Sequence, residues 1–190
     1  FQMLPKSKDK IMDCKLVKKS WTESFTYKQA NESKGLKGLR IPQLGALFAI
    51  KAHWSTSGES ATIVMPTGTG KTETMISAII SERCDKTLII VPSNLLRKQI
   101  AEKCISLGIL KEVDVIKSKA INPVVSMLST TPSSAEELRN IVNKSNIIVT
   151  TMSLINVFPS EYIDICCELC SELVIDEAHH IAASTWNQLK

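Results

Sequence analysis

The residues most able to do chemistry lie at 66–72, which read Pro66-Thr67-Gly68-Thr69-Gly70-Lys71-Thr72. Gly68 and Gly70 let the backbone curl so that successive N–H groups point inward, a geometry suited to phosphate oxygens. Lys71 brings a cation to the β- and γ-phosphates of a nucleotide, and the Thr72 hydroxyl is a ligand for Mg²⁺. An apolar stretch, 61–65, precedes the loop and a helix-like pattern begins at Glu73. This strand–loop–helix context makes the segment a P-loop, with the positive end of the helix dipole aimed at the same spot. Met65 stands where the motif usually begins with glycine, and the Gly68-Thr69-Gly70-Lys71-Thr72 core is intact.

A second chemical site follows about a hundred residues later. The apolar run 172–175 ends in Asp176-Glu177-Ala178-His179. On its own, an acidic pair at a strand end is an ordinary turn or helix cap. Beside a P-loop the two carboxylates divide the labour. Asp176 holds Mg²⁺ through its water shell, and Glu177 orients and deprotonates an attacking water. The predicted catalytic set is therefore Lys71, Asp176 and Glu177, with Thr72 and Asp176 toward the metal.

The elements that must position these residues show as alternating patterns. Apolar, β-branched runs at 61–65, 87–91, 112–116, 146–150 and 172–175 predict strands. Between them, 71–83, 94–107, 135–143 and 162–170 predict helices. Several strands are continuously apolar rather than alternating, which suits burial on both faces. The expected fold is α/β, a three-layer P-loop domain with a mainly parallel sheet and helices on both sides. Ligands of such sheets gather at the loops leaving the carboxyl ends of the strands.

At 190 residues and 44% hydrophobic composition the chain is long enough to bury a core. No run nears the ~18 apolar residues of a membrane span, and no signal peptide is evident, so a cytoplasmic protein is expected. Six cysteines are too sparse for a disulfide scaffold, and Cys167 and Cys170 lack a second pair to complete a zinc site. The net charge of +4 is concentrated in residues 1–34, where eight lysines face four acids, while 35–190 is neutral. The expected division is a Lys-rich arm or linker, 1–34, followed by a nucleotide-binding lobe, 35–190.

With both motifs in view, the chain resembles superfamily 2 helicases and translocases, whose motifs I and II are similar to Met65–Thr72 and Asp176–His180 here. Leu39-Arg40-Ile41-Pro42-Gln43 resembles the adenine-recognition Q motif. That resemblance implies that Arg40 and Gln43 contact the adenine, beside Pro66, Thr67, Gly68, Thr69, Gly70, Lys71, Thr72 and Glu73 around the phosphates. Val91-Pro92-Ser93-Asn94-Leu95 resembles motif Ia, and Val149-Thr150-Thr151-Met152-Ser153-Leu154 resembles motif Ic. They imply a backbone grip on nucleic acid by Pro92, Ser93, Asn94, Arg97, Thr150 and Thr151. Such contacts position a strand without reading its sequence. The second histidine, His180, is similar to that of restriction-enzyme motor subunits and tilts the expected substrate to DNA over RNA.

The resemblance implies a RecA-like first lobe that uses ATP and Mg²⁺, completed by a second RecA-like lobe beyond this chain, with a fused or associated nuclease as a further partner. Rival readings are a stand-alone small-molecule kinase and a non-catalytic nucleotide-gated binding module. The first would need an Arg-rich lid, which the sequence lacks.

Overall fold

A computed structural model describes residues 2–3 and 13–178. Its centre is a five-stranded sheet of order β1-β3-β4-β2-β5. The strands are β1 (Gln2–Met3), β2 (Thr87–Val91), β3 (Val125–Met127), β4 (Ile147–Thr151) and β5 (Glu172–Ile175). β3, β4, β2 and β5 run parallel, and only β1 is antiparallel, against β3. Every residue of β2 and β4 is buried. Their uninterrupted apolar runs are thus explained by helices covering both faces.

Helices α1 (Cys14–Trp21), α2 (Ile41–Thr56), α3 (Lys71–Ser81) and α4 (Asn94–Ser106) contribute to one core, with Ile89, Val91, Ile147 and Val149 from the sheet. Helices α5 (Ala135–Asn143), α6 (Met152–Ile155) and α7 (Ser160–Leu169) contribute to the other, with Leu88, Ile90 and Ile148. Alternate residues of β2 and β4 enter opposite cores, as the two-residue period of a strand requires. The architecture is α/β and three-layered, in agreement with the sequence.

Most predicted elements recur with ends moved by two residues or fewer, which is the scatter expected of fraying helix termini. Two predicted strands do not form. Residues 61–65 pair with no strand among the described residues, and Ile63 and Val64 are 39% and 89% exposed. Their composition favours a strand, but that preference needs a ladder partner and neighbours to pack against, and here the segment has neither. Residues 112–114 are turn, Val115 is a bend, and Ile116 makes only an isolated antiparallel bridge to Phe25. Leu107, Gly108 and Asp114 take left-handed conformations that coil the chain, and Val115 N–H donates back to Leu110 O at 2.9 Å. Val115 and Ile116 are still buried, so the apolar run marks core without marking a ladder. The sheet position instead goes to β3, a three-residue strand too short to show a period.

The Lys-rich N-terminal region contributes an amphipathic helix. Asp13 caps α1 by accepting from Lys15 N–H at 2.8 Å. The lysines face outward or lie at the margin, while Val17 and Trp21 are buried. The Trp21 indole donates to Ile121 O at 3.0 Å, which satisfies its one polar atom.

Candidate functional site

The loop before α3 is shaped by its two glycines. Gly68 and Gly70 have φ of 81° and 91°, a region that L side chains avoid. A side chain on Gly70 would also collide with the Gln43 amide. Thr69 closes the turn on Pro66 O with both its amide, at 3.3 Å, and its hydroxyl, at 2.6 Å. The Thr74 amide bonds Gly70 O at 3.0 Å and opens the helical ladder. The amides of Lys71, Thr72 and Glu73 therefore have no carbonyl one turn back, and they add to the positive end of the dipole.

Arg40 and Gln43 are brought to this loop. Arg40 Nη1 donates to Gly68 O at 2.8 Å, and Gln43 Nε2 donates to Gly70 O at 3.2 Å. Gln43 Oε1 accepts from the Arg40 amide at 2.8 Å, so the buried glutamine uses both ends of its side chain. The pair that resembles an adenine reader is here a brace for the P-loop.

The strand β5 delivers the carboxylates. Asp176 N–H continues the ladder to Ile90 O at 2.9 Å, and the Glu177 amide turns back to Asp176 Oδ1 at 3.1 Å. Glu177 has φ of 54°, a left-handed conformation that costs a residue with a Cβ roughly 1–2 kcal/mol. Its Oε1 meets Lys71 Nζ at 2.6 Å, joining two motifs 106 residues apart. That bond, more than the nearby charges, raises the Lys71 pKa above the ordinary lysine value. Burial raises the Asp176 pKa, and the neighbouring Glu177 charge adds to it. Thr72 and Asp176 are hard oxygen donors, both partly buried, of the kind Mg²⁺ prefers. The P-loop cradle, Lys71 and these oxygens fit a nucleoside triphosphate with its metal.

A pocket of about 110 Å³ opens beside the carboxylates, lined by Ile90, Val91, Pro92, Met152, Ile175, Asp176 and Glu177. The ends of β2 and β5 and the start of α6 thus share one hollow. The residues resembling nucleic-acid contacts divide here. Ser93 is exposed and caps α4, its hydroxyl accepting from Leu96 N–H at 3.3 Å, and Asn94 is exposed beside it. Thr151 caps α6 through Leu154 N–H at 3.3 Å. Thr150 is fully buried, and Arg97 is tied to Leu128 O at 3.0 Å. Glu73 turns from the loop to Lys103, at 2.9 Å. Lys103 is a partner that sequence reasoning misses, because nothing in local spacing predicts a contact between successive helices. His179 and His180 lie outside the described residues.

A protein-family model described as "Type III restriction enzyme, res subunit" matches residues 36–190. The chain belongs to this family. Membership makes it a superfamily 2 helicase-like domain of RecA fold, and implies an ATP-dependent motor. A comparison with curated proteins finds no match. Helicase-like ATPase domains of this kind use ATP and Mg²⁺, act with nucleic acid and work with a second lobe. Among the described residues, no helix is long and apolar enough to cross a membrane.

Proposed function

We propose that this chain is the first RecA-like lobe of a DNA translocase that hydrolyses ATP to ADP and phosphate when a second lobe closes on it. The observation that supports this most is the 2.6 Å contact between Lys71 and Glu177. It brings the phosphate-binding lysine and the candidate base to one point. The γ-phosphate oxygens of ATP would compete for Lys71, leaving the Glu177 carboxylate to accept a proton from water. Mg²⁺, held by Thr72 and Asp176, would neutralise charge on the phosphates. Arg40 and Gln43 would brace the loop and lie on the adenine side, with Pro66 to Thr72 around the phosphates.

Pro92, Ser93 and Asn94 would grip one DNA strand through backbone and side-chain polar groups, with the buried Thr150 and Thr151 and with Arg97 fixing the loops from inside. Residues 35–190 would make up the lobe and 1–34 an arm whose helix α1 docks on it. We assign the protein to the cytoplasm, with a fused or associated nuclease as partner. Displacement of a triplex-forming strand from duplex DNA measures translocation. ATP-dependent displacement by the two-lobe protein, lost in Lys71→Ala, is the expected result. Displacement that survives Lys71→Ala would overturn the assignment.

A further inference from the structure

The one deeply buried acid among the described residues is Glu73, 9% exposed on the first turn of α3. An acid there gains from the helix dipole even when solvated. Burial is a separate cost, and a buried carboxylate persists only with a partner. That partner is Lys103 on the last turn of α4, 2.9 Å away and 47% exposed. The carboxylate spans two backbones. A Cβ placed on Gly70 would lie 3.5 Å from Glu73 Oε2, and one placed on Gly108, just past the end of α4, would lie 3.7 Å from Oε1. Glu73 therefore fills the space between the P-loop glycine on one side and the turn that follows α4 on the other.

Two consequences follow. An unneutralised carboxylate two residues from Lys71 would repel incoming phosphate, and Lys103 cancels that charge from outside. Helix α4 has 13 residues and is a rod of about 20 Å, whose opposite end carries Ser93 and Asn94. We propose that Glu73 and Lys103 are a positioning pair, coupling occupancy of the P-loop to the orientation of α4 and hence to its hold on DNA. This rests on the motor reading above. It moves Glu73 from nucleotide ligand, the role its place after the P-loop suggests, to link between two sites.

The test is the affinity of a fluorescent ATP analogue for the two-lobe protein with and without duplex DNA. Coupling between sites is reciprocal, so DNA must change that affinity if nucleotide changes the DNA grip. In the unsubstituted protein a change of several-fold is expected. In Lys103→Met the change should fall below twofold with affinity in the absence of DNA kept within threefold, and in Glu73→Gln the change should fall below twofold as well. The double variant should be no worse than either single one, because both remove the same link. Lys103 is half exposed, so Lys103→Met reads the link even if Glu73→Gln misfolds. Full coupling retained in Lys103→Met overturns the inference and leaves the motor reading intact. So does a tenfold loss of DNA-free affinity in Glu73→Gln alone, which would make Glu73 a nucleotide ligand. No coupling in the unsubstituted protein overturns the motor reading, and the inference with it.

Discussion

Glu177→Gln should do two opposite things: tighten ATP binding and abolish turnover. In the free lobe the Glu177 carboxylate holds Lys71 at 2.6 Å, and the side chains are 30% and 35% exposed. ATP must break that ion pair before its phosphates can take the lysine. Bare Coulomb attraction at such a separation is about 6 kcal/mol at an effective dielectric constant of 20. Desolvation, side-chain ordering and solvent screening reduce exposed pairs to ~0.2–1 kcal/mol net. A pair one-third exposed belongs near the top of that range, so we take about 1 kcal/mol, or about fivefold in affinity. An amide retains hydrogen bonding to Lys71 but loses the charge, so most of that competition disappears. The same amide cannot accept a proton from water, and loss of a general base lowers turnover by ~10²–10⁴. Titration with a fluorescent ATP analogue, together with steady-state phosphate release by the two-lobe protein, measures both. Affinity unchanged or weakened would refute the competition, and turnover above about a tenth of the parent would remove Glu177 as the base.

Asp176→Asn should stabilise the lobe without metal at neutral pH while weakening Mg²⁺-dependent nucleotide binding. Burial raises the Asp176 pKa. Its contribution to stability is therefore full below the unfolded carboxylate value and lost as pH rises through the raised folded value. The thermal midpoint of the parent should fall relative to Asp176→Asn across that window, and parallel pH profiles would contradict the assignment. Trp21→Ala should cost ~3–5 kcal/mol in urea unfolding, because it empties a buried site and orphans Ile121 O. A loss below about 1 kcal/mol would show that α1 is not part of the folded lobe.

The chemistry was more legible than the scaffold. Phosphate binding restricts a short stretch to glycines, a lysine and a hydroxyl, so Gly68 to Thr72 announce themselves in one dimension. The same holds for Asp176 and Glu177 at the end of an apolar strand. A strand buried on both faces, such as β2, is also readable, since burial leaves an apolar run. Partners set by folding alone were not. The bonds from Arg40 and Gln43 to the P-loop carbonyls join residues 27 and 28 positions apart through a turn no spacing rule describes. The Glu73–Lys103 pair joins two helices whose packing the sequence does not specify. Residues 61–65 and 112–116 failed as strands because composition reports the wish to be buried or extended, whereas pairing depends on what lies alongside. Thr150 illustrates the same limit in a motif: its hydroxyl resembled a nucleic-acid contact, and folding placed it in the interior.

The central claim is that this chain carries half of a motor's active site. On that reading it would supply a phosphate cradle, metal ligands and a base, and the second lobe would supply the cation for the transferring phosphoryl group. Such an arginine accelerates comparable enzymes by about 10³–10⁵, or roughly 4–7 kcal/mol of barrier. Steady-state phosphate release, from residues 1–190 and from the two-lobe protein, with and without DNA, tests this most directly. The account predicts that the short chain binds ATP weakly and turns over barely above background whether or not DNA is present, and that the two-lobe protein is strongly stimulated by DNA. Robust DNA-stimulated hydrolysis by residues 1–190 alone would contradict it.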